Sequence, residues 1–303
     1  MTGSADISII GCGKVGAAIA QLATGAGRKI AALASRNPER ADDLARRIGN
    51  PQSACDVARA AGAGKLVLLT VNDDAIEPLC DRLAREGAFG AGSIIAHCSG
   101  ALGSDILARA RDSCRCRIGS MHPLTTFPTV SAAIEKFSGT YCFCEGDTDA
   151  TDALMELASD IGAKPMLVES GNKVLYHAAA VMACNYLTAL MDAAVTLCRH
   201  AGIDRKTALQ ALGSLSATTL ENVSKLGPAT ALTGPIARGD ARTIHRHLEA
   251  LSRCDDDLRD FYRIAGKWAL KLAANRENRN QVNPNRANDD IIATLLDTPN
   301  RQE

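Results

Sequence analysis

The chain has 303 residues, room for two domains with separate cores. Its 34 basic and 34 acidic residues give a formal net charge of zero, which argues against a nucleic-acid binder, where a basic excess is usual. Eleven cysteines, an odd number behind an N-terminus without the charged and apolar regions of a signal peptide, read as reduced thiols packed as small hydrophobes in a cytoplasmic protein. The C-x-C pairs Cys114/Cys116 and Cys142/Cys144 are not spaced as a redox or zinc motif, and no metal is expected.

In chain order, the apolar run Ile7, Ile9, Ile10 predicts a strand. It meets the turn Gly11-Cys12-Gly13-Lys14-Val15-Gly16, a helical stretch follows, and a second apolar run spans 30–34. Strand, glycine turn, helix and strand are the context in which G-x-G-x-x-G binds a dinucleotide. Gly11 allows the sharp turn, Gly13 lets a pyrophosphate approach the backbone, and Gly16 lets the helix pack close to the strand. The helix N-terminus then offers free N–H groups to the phosphates. The candidate cofactor residues here are Gly11, Cys12, Gly13, Lys14, Val15 and Gly16. The second strand ends in Ser35-Arg36-Asn37, with no acid before Glu39. An acid there would bond a ribose 2′-OH, whereas a hydroxyl and a guanidinium suit a 2′-phosphate, so the predicted cofactor is NADP(H). Asn37 before Pro38 reads as the N-cap of a helix over 38–48.

Residues 65–71 form a near-continuous apolar run, as a strand buried on both faces should. Asn72 ends it and joins the cofactor-binding candidates, ahead of a helix over 75–86. A strand at 93–96 leads to His97-Cys98-Ser99-Gly100, followed by a helix over 104–111. A strand near 117–120 runs into Met121-His122-Pro123. Strands at 140–144 and 165–168 flank a helix over 148–161. The expected fold class is therefore α/β: an N-terminal Rossmann domain built on a doubly wound parallel sheet, with ligands at the C-terminal strand ends.

Strand signals then stop. Residues 173–199 read as one long helical stretch, apolar enough to raise the question of a membrane. His177, Asn185 and Asp192 interrupt it, and no aromatic belt or basic cluster flanks it, so it reads as an interior helix of an all-α domain. Helices follow at 204–212, 216–226 and 240–253, the last extending toward 274. From 275 the chain is polar and asparagine-rich, which suggests a mobile tail with one short helix at 291–296. The expected domains are 1–168, binding NADP(H); 169–274, all-helical; and the tail, 275–303. Such a pair leaves a cleft, where small-molecule sites concentrate.

The reacting groups are sought where the two domains meet. Lys173 opens the long helix, where a cation is disfavoured by the helix dipole, so a catalytic role as proton donor offers a reason for it. His177 lies one turn on and could grip the same substrate oxygen, or else satisfy a backbone carbonyl. Asn185 lies twelve positions beyond Lys173, about 18 Å along the axis at about 1.5 Å per residue, so it would serve a helix–helix bond or reach a different substrate group. Ser99 and Gly100 end one strand and His122 follows another, both substrate-binding positions. Arg238, in Leu232-Thr233-Gly234-Pro235-Ile236-Ala237-Arg238-Gly239-Asp240, could clamp a carboxylate, and Asp240 reads as an N-cap.

Together these blocks resemble the Rossmann-like reductases whose second domain is the domain of unknown function 2520. The blocks are the glycine fingerprint, Val71 to Ile76, His97 to Gly100, His122-Pro123-Leu124 with Phe127, Lys173 with Tyr176-His177 and Asn185, and Leu232 to Asp240. That family is similar to the 6-phosphogluconate-dehydrogenase-like enzymes, among them β-hydroxyacid dehydrogenases, pyrroline-5-carboxylate reductases and ketopantoate reductases. The resemblance implies a lysine proton donor, which Lys173 matches, and an asparagine one turn later, where this chain has His177. It also implies a homodimer formed through the helical domain. The expected function is an NADPH-dependent reductase of a small 2-oxo acid carboxylate, with ketopantoate (2-dehydropantoate) in pantothenate synthesis first. Reduction of a cyclic imine such as pyrroline-5-carboxylate, or a non-catalytic NADP(H) sensor or scaffold, are the alternatives. No membrane partner is expected.

Overall fold

A computed structural model of the protein describes residues 6–50, 53–277 and 286–297. The first half is a seven-stranded sheet: β1 (Ile7–Ile10), β2 (Ile30–Ala34), β3 (Leu66–Leu69), β4 (Ile94–His97), β5 (Arg117–Pro123), β6 (Tyr141–Gly146) and β7 (Lys164–Leu167), in the order β2-β1-β3-β4-β5-β6-β7. Side chains alternate between its two faces. Ile7, Ile9, Leu66 and Leu68 enter one apolar cluster, while Ile10, Val67 and Leu69 enter the other. The first face is covered by α1 (Lys14–Gly25), α2 (Pro38–Arg47) and α7 (Thr148–Asp160), the second by α3 (Val57–Ala63), α4 (Asp73–Arg85) and α5 (Ala108–Cys114). A 3₁₀ turn, Ser104–Leu107, precedes α5. Asn37 caps α2 by accepting from the Glu39 N–H, as its sequence suggests.

The sheet is not parallel throughout. Strands β1 to β5 run parallel, but β6 pairs antiparallel with β5, and β7 runs with β6. A parallel return needs a crossover of a dozen or more residues, usually helical. The β5–β6 connection, residues 124–140, is long enough for one, but it does not cross over: its one helix is the six-residue α6 (Val130–Glu135), and Pro123 at the end of β5 pairs with Cys142 near the start of β6. The turn that reverses the chain therefore lies at the end of the sheet where Ser99 and His122 sit.

By contacts the chain divides into Met1–Cys184 and Asn185–Glu303, later than the boundary after Val168 that its strand pattern suggests. The reason is α8 (Lys173–Val181): its Lys173 and Tyr176 are hydrogen-bonded to Ser120 and His122 of β5, so the helix packs with the sheet. A π-helical turn, Met182–Tyr186, leads to α9 (Leu187–His200). The second unit contains α9, α10 (Arg205–Leu226), α11 (Pro228–Ala231), α12 (Gly234–Ala237), α13 (Ala241–Leu251), α14 (Asp256–Glu277) and α15 (Arg286–Asp297). Asp240 caps α13 through the Thr243 N–H and hydroxyl.

Two expectations for this half need correction. The predicted break within 204–226 is absent; α10 is one 22-residue helix. The stretch Ser170–His200, with a mean hydropathy of 1.5, is long and apolar enough to cross a membrane, yet it is not an interior helix: Leu175, Met182, Tyr186 and Leu190 are exposed. The short helix expected at 291–296 is present and longer, spanning Arg286–Asp297, with Ile292 and Leu296 buried against Ile244 and Leu248 of α13. Residues 278–285 and 298–303 of that tail lie outside the described residues. Of the cysteines in apolar runs, Cys80 and Cys142 are buried, Cys198 is half-buried and Cys184 is exposed; none of the eleven is disulfide-bonded.

Candidate functional site: a glycine turn and a buried lysine

Two groups of residues gather in the first unit at the C-terminal ends of its parallel strands. The first is the turn from β1 into α1. Gly11 has φ +115°, and a Cβ there would lie 2.6 Å from the Thr70 carbonyl. A Cβ on Gly16 would lie 2.2 Å from the Gly11 carbonyl oxygen. The turn is held from both sides, Gly11 N–H donating to the Ala34 carbonyl at 2.7 Å and the Thr70 hydroxyl to the Gly11 carbonyl at 2.7 Å. Gly13, the N-cap of α1, has open space around its Cα and no side-chain cap, which leaves the first N–H groups of α1 to a ligand.

Cys12 is turned inward, its thiol on the Ala34 carbonyl at 3.5 Å and pushed up to about 11 by burial, so only its backbone can serve a ligand. Lys14 is exposed, Val15 half-buried. Beside Gly13 a cavity of about 330 Å³ is lined by Lys14, Arg40 and Arg47 among others. Ser35 is half-buried at the end of β2 and Arg36 beyond it is exposed; Asn72, the N-cap residue of α4, is exposed too.

The second group is built around Lys173. Its ammonium is almost fully buried and donates to the Ser99 carbonyl at 2.9 Å and the Ser120 hydroxyl at 2.5 Å, with Glu145 Oε1 at 3.6 Å. Burial pulls the Lys173 pKa down, opposed first by the Glu145 carboxylate. The same carboxylate, at the end of β6, accepts from the Ser104 N–H at 2.8 Å, the Ser104 hydroxyl at 2.8 Å and the Ser120 hydroxyl at 2.6 Å.

Ser99 itself braces the loop after β4. Its hydroxyl donates to Asp73 Oδ2 at 2.7 Å and accepts from the Ala101 and Leu102 N–H groups, so its side chain is engaged and its carbonyl is what meets Lys173. His97 accepts the Ser99 N–H on Nδ1 at 3.2 Å, which puts its proton on Nε2, donated to the Gly103 carbonyl at 3.1 Å. It is held neutral, pushed down to about 4 chiefly by burial and then by Lys173.

Adjoining this network, His122 Nδ1 shares a hydrogen bond of 2.8 Å with the Tyr176 hydroxyl, and its ring meets that of His177 edge-on at 5.9 Å. Gly100 lies against both imidazoles; a Cβ there would be 2.6 Å from His177 Cδ2 and 2.8 Å from His122 Cε1. Lys173 and His177, one turn apart, thus face different neighbours: the ammonium reaches Ser120 and Glu145, the imidazole reaches Gly100 and His122. Asn185 and Arg238 belong to the second unit, both exposed.

Reading the sequence misses Glu145, Ser120, Ser104 and Thr70. For Glu145 there was a signal: an acid directly after the apolar Tyr-Cys-Phe-Cys run, which a buried strand tolerates only if the acid is paired. The serines and Thr70 carry no such mark. Among the described residues, no group of three or more His, Cys, Asp or Glu is placed to hold a metal ion.

Two family models match the chain: a Rossmann-like domain over residues 3–123 and the domain of unknown function 2520 over residues 140–268. No curated protein matches it. Among solved structures it is similar to a protein of Thermotoga maritima, at 23% identity and a TM-score of 0.70, over 90% of this chain and 100% of that one. It is also similar to a pyrroline-5-carboxylate reductase of Coxiella burnetii (16% identity, TM-score 0.56, 92% and 100% covered) and to a reductive aminase of Aspergillus terreus in complex with NADPH (15%, 0.64, 96% and 99%). The second domain begins within the sheet, so β6, β7 and Lys173 fall in its span. The chain is a Rossmann-like protein whose C-terminal part is a domain of unknown function 2520.

Proposed function

We propose that the protein is an NADP(H)-dependent oxidoreductase that reduces a small carbonyl compound, a 2-oxo acid with ketopantoate as first candidate. The observation that carries this reading is the buried Lys173 ammonium beside His122, Tyr176 and His177, in the same unit as the glycine turn. The turn fits a dinucleotide: there is no room for a Cβ at Gly11 or Gly16, open space at Gly13, and a helix N-terminus without a side-chain cap. Gly11 to Gly16 would hold the pyrophosphate, Ser35 and Arg36 the 2′-phosphate, and Asn72 the part of the cofactor nearest β3.

When bound, NADPH supplies the hydride. The chain's own residues bind and orient the carbonyl and provide a proton. An ammonium has three protons, and Ser99 and Ser120 fix the direction of two, so Lys173 is oriented before substrate arrives. It stabilises the developing alkoxide and protonates it, as general acid. His122 and His177, with the Gly100 backbone between them, line the place for the substrate's polar groups, its carboxylate among them.

A cyclic imine such as pyrroline-5-carboxylate is the second reading. The likeness in fold to a pyrroline-5-carboxylate reductase and a reductive aminase favours it. In either case we infer a cytoplasmic homodimer paired through the helical unit, a reading supported by eleven cysteines outside any disulfide and by the exposed Leu215, Leu220, Ile264 and Trp268.

The test is NADPH oxidation against a panel of 2-oxo acids and cyclic imines. Ketopantoate turned over most efficiently supports the first reading; efficient reduction of an imine with none of ketopantoate replaces it by the second. Lys173→Ala should still bind NADPH and lose turnover. Turnover surviving within a few-fold removes Lys173 from the chemistry, and NADPH binding without turnover of any compound points to a sensor.

A further inference from the structure

We propose that Glu145 and Ser120 are positioning residues for Lys173: they hold it as an ammonium in a dry site and return a proton to it after each turnover. The proposal rests on the reductase reading above, with Lys173 as the acid.

The geometry is a short chain of polar atoms. Lys173 Nζ donates to Ser120 Oγ at 2.5 Å, and Ser120 Oγ donates to Glu145 Oε1 at 2.6 Å. Lys173 is 1% exposed and Glu145 is 4% exposed, so the ammonium has no water to stabilise it and the carboxylate has little. Glu145 is the carboxylate beside the ammonium, and its two oxygens accept from the Ser104 N–H, the Ser104 hydroxyl and the Ser120 hydroxyl. The other groups that face Lys173 are Asp73 on α4 and Cys98, His97 and His122 on or after the strands. Both histidines are held neutral, and burial pushes the Cys98 thiol up to about 12, so neither adds an anion. The Asp73 carboxylate is bonded to Ser99. Glu145 is therefore the nearest counter-charge.

Glu145 also has a way out. With Ser104, Thr148, Thr151, Glu169 and Ser170 it lines an open cavity of about 600 Å³ in the same unit. When Lys173 gives a proton to the substrate oxygen, its Nζ is left with a lone pair. A proton entering from water in that cavity binds Glu145, the Glu145 O–H passes its proton to Ser120 Oγ, and the Ser120 hydroxyl proton moves to Nζ. The net change is one proton from solvent to Lys173, with Glu145 again a carboxylate and Ser120 again a hydroxyl.

The charge of Lys173 is read without cofactor or substrate, from the 13Cε resonance of lysine-labelled protein, assigned by its loss in Lys173→Ala. Glu145→Gln keeps the shape and removes the charge; Lys173 should then titrate at least about one pH unit lower. The alkaline limb of the pH–rate profile should move with it, while the NADPH dissociation constant stays within about twofold. Ser120→Ala should leave the Lys173 midpoint near wild type, because Glu145 remains, yet lower kcat about tenfold and enlarge the solvent isotope effect. An unmoved Lys173 midpoint in Glu145→Gln, or an unchanged kcat in Ser120→Ala, overturns the proposal. If Glu145→Gln does not fold, Glu145→Asp, which keeps the charge, must retain the wild-type midpoint; a fall there overturns it too. If no compound on the panel is reduced, the reductase reading and the proton return fail together, and the titration alone decides whether Glu145 keeps Lys173 charged.

Discussion

The Tyr176 hydroxyl stands 2.8 Å from His122 Nδ1, with its ring tilted against Phe143 at 4.5 Å. One residue of a strand end and one of a helix start are thereby locked together, three positions after Lys173. Removing the hydroxyl should show what the lock is worth. A buried hydrogen bond contributes about 1 kcal/mol net, roughly fivefold in a rate or binding constant. Tyr176→Phe should therefore lower kcat/KM about fivefold and leave NADPH binding unchanged. A kcat/KM equal to wild type would detach the pair from the site.

The neutral histidines predict how stability depends on pH. His97 and His122 are both pushed down to about 4 in the folded chain, by burial first and by Lys173 second. An unfolded histidine titrates near 6.5. Between about 6.5 and 4 the unfolded chain thus binds more protons than the folded one, and stability falls as the pH falls through that window. The stabilisation is fully present above about 6.5 and gone below about 4, on the order of 3 kcal/mol for each group. Urea titrations from pH 7.5 to 4 should show this slope, and His97→Asn should flatten part of it. Equal slopes in the variant and wild type would contradict the assignment.

Gly100 marks the closest approach of backbone to the two imidazoles. A methyl group there would meet His177 Cδ2 at 2.6 Å and His122 at 2.8 Å, so one or both rings must turn away. Gly100→Ala should cost about 1–3 kcal/mol of stability, as overpacking does. It should lower kcat/KM by more than about tenfold, since displaced catalytic groups lose their alignment. NADPH binding, measured by fluorescence, should stay near wild type because the glycine turn is elsewhere. Activity retained within twofold would show that the rings are not aligned for chemistry.

These residues also show what a sequence can and cannot disclose. Gly11, Gly13 and Gly16 are legible because a fixed spacing answers a fixed backbone need, and the near-continuous apolar strands answer burial on two faces. Asn37 and Asp240 are legible because a cap is a local device. The reversal at β6 is not, because strand direction is decided by where the connection packs rather than by the strand's own residues. Nor is the Lys173 network: Ser99, Ser120 and Glu145 are 74, 53 and 28 residues away in sequence, and only the sheet brings their atoms together. The helix Ser170–His200 misleads for a related reason: its apolar residues suggest an interior position, while the chain by itself leaves most of them uncovered.

Arg36 tests the choice of dinucleotide. It is exposed just past β2, where an acid would select the 2′-OH. Arg36→Ala should weaken NADPH by about tenfold or more, the scale of a charge-assisted phosphate contact, and leave NADH within about twofold. Equal losses for both cofactors would mean that Arg36 supports the fold of the turn rather than reading the phosphate. Loss for neither would move the 2′-phosphate to the cations of the adjacent cavity, Arg40 and Arg47.

The helical unit tests the assembly. Of the 22 residues of α10, Ala208 alone is buried, while Leu215, Leu220 and Leu226 are about half exposed or more. On α14, Ile264 and Trp268 are 66% and 68% exposed. A lone helix gains little from propensity in water and depends on burying its apolar face, so surfaces of this kind mark contacts. A second copy of the chain offers the same residues and can cover them by two-fold pairing. Light scattering should give about twice the 31.8 kDa chain mass. Leu215→Glu would place a carboxylate in that contact and should shift the protein toward monomer, with a loss of helical content or melting temperature, since α10 would then be uncovered. NADPH affinity, set by the glycine turn in the first unit, should change little. A wild-type chain that is monomeric at micromolar concentration, with α10 stable, rules the pairing out.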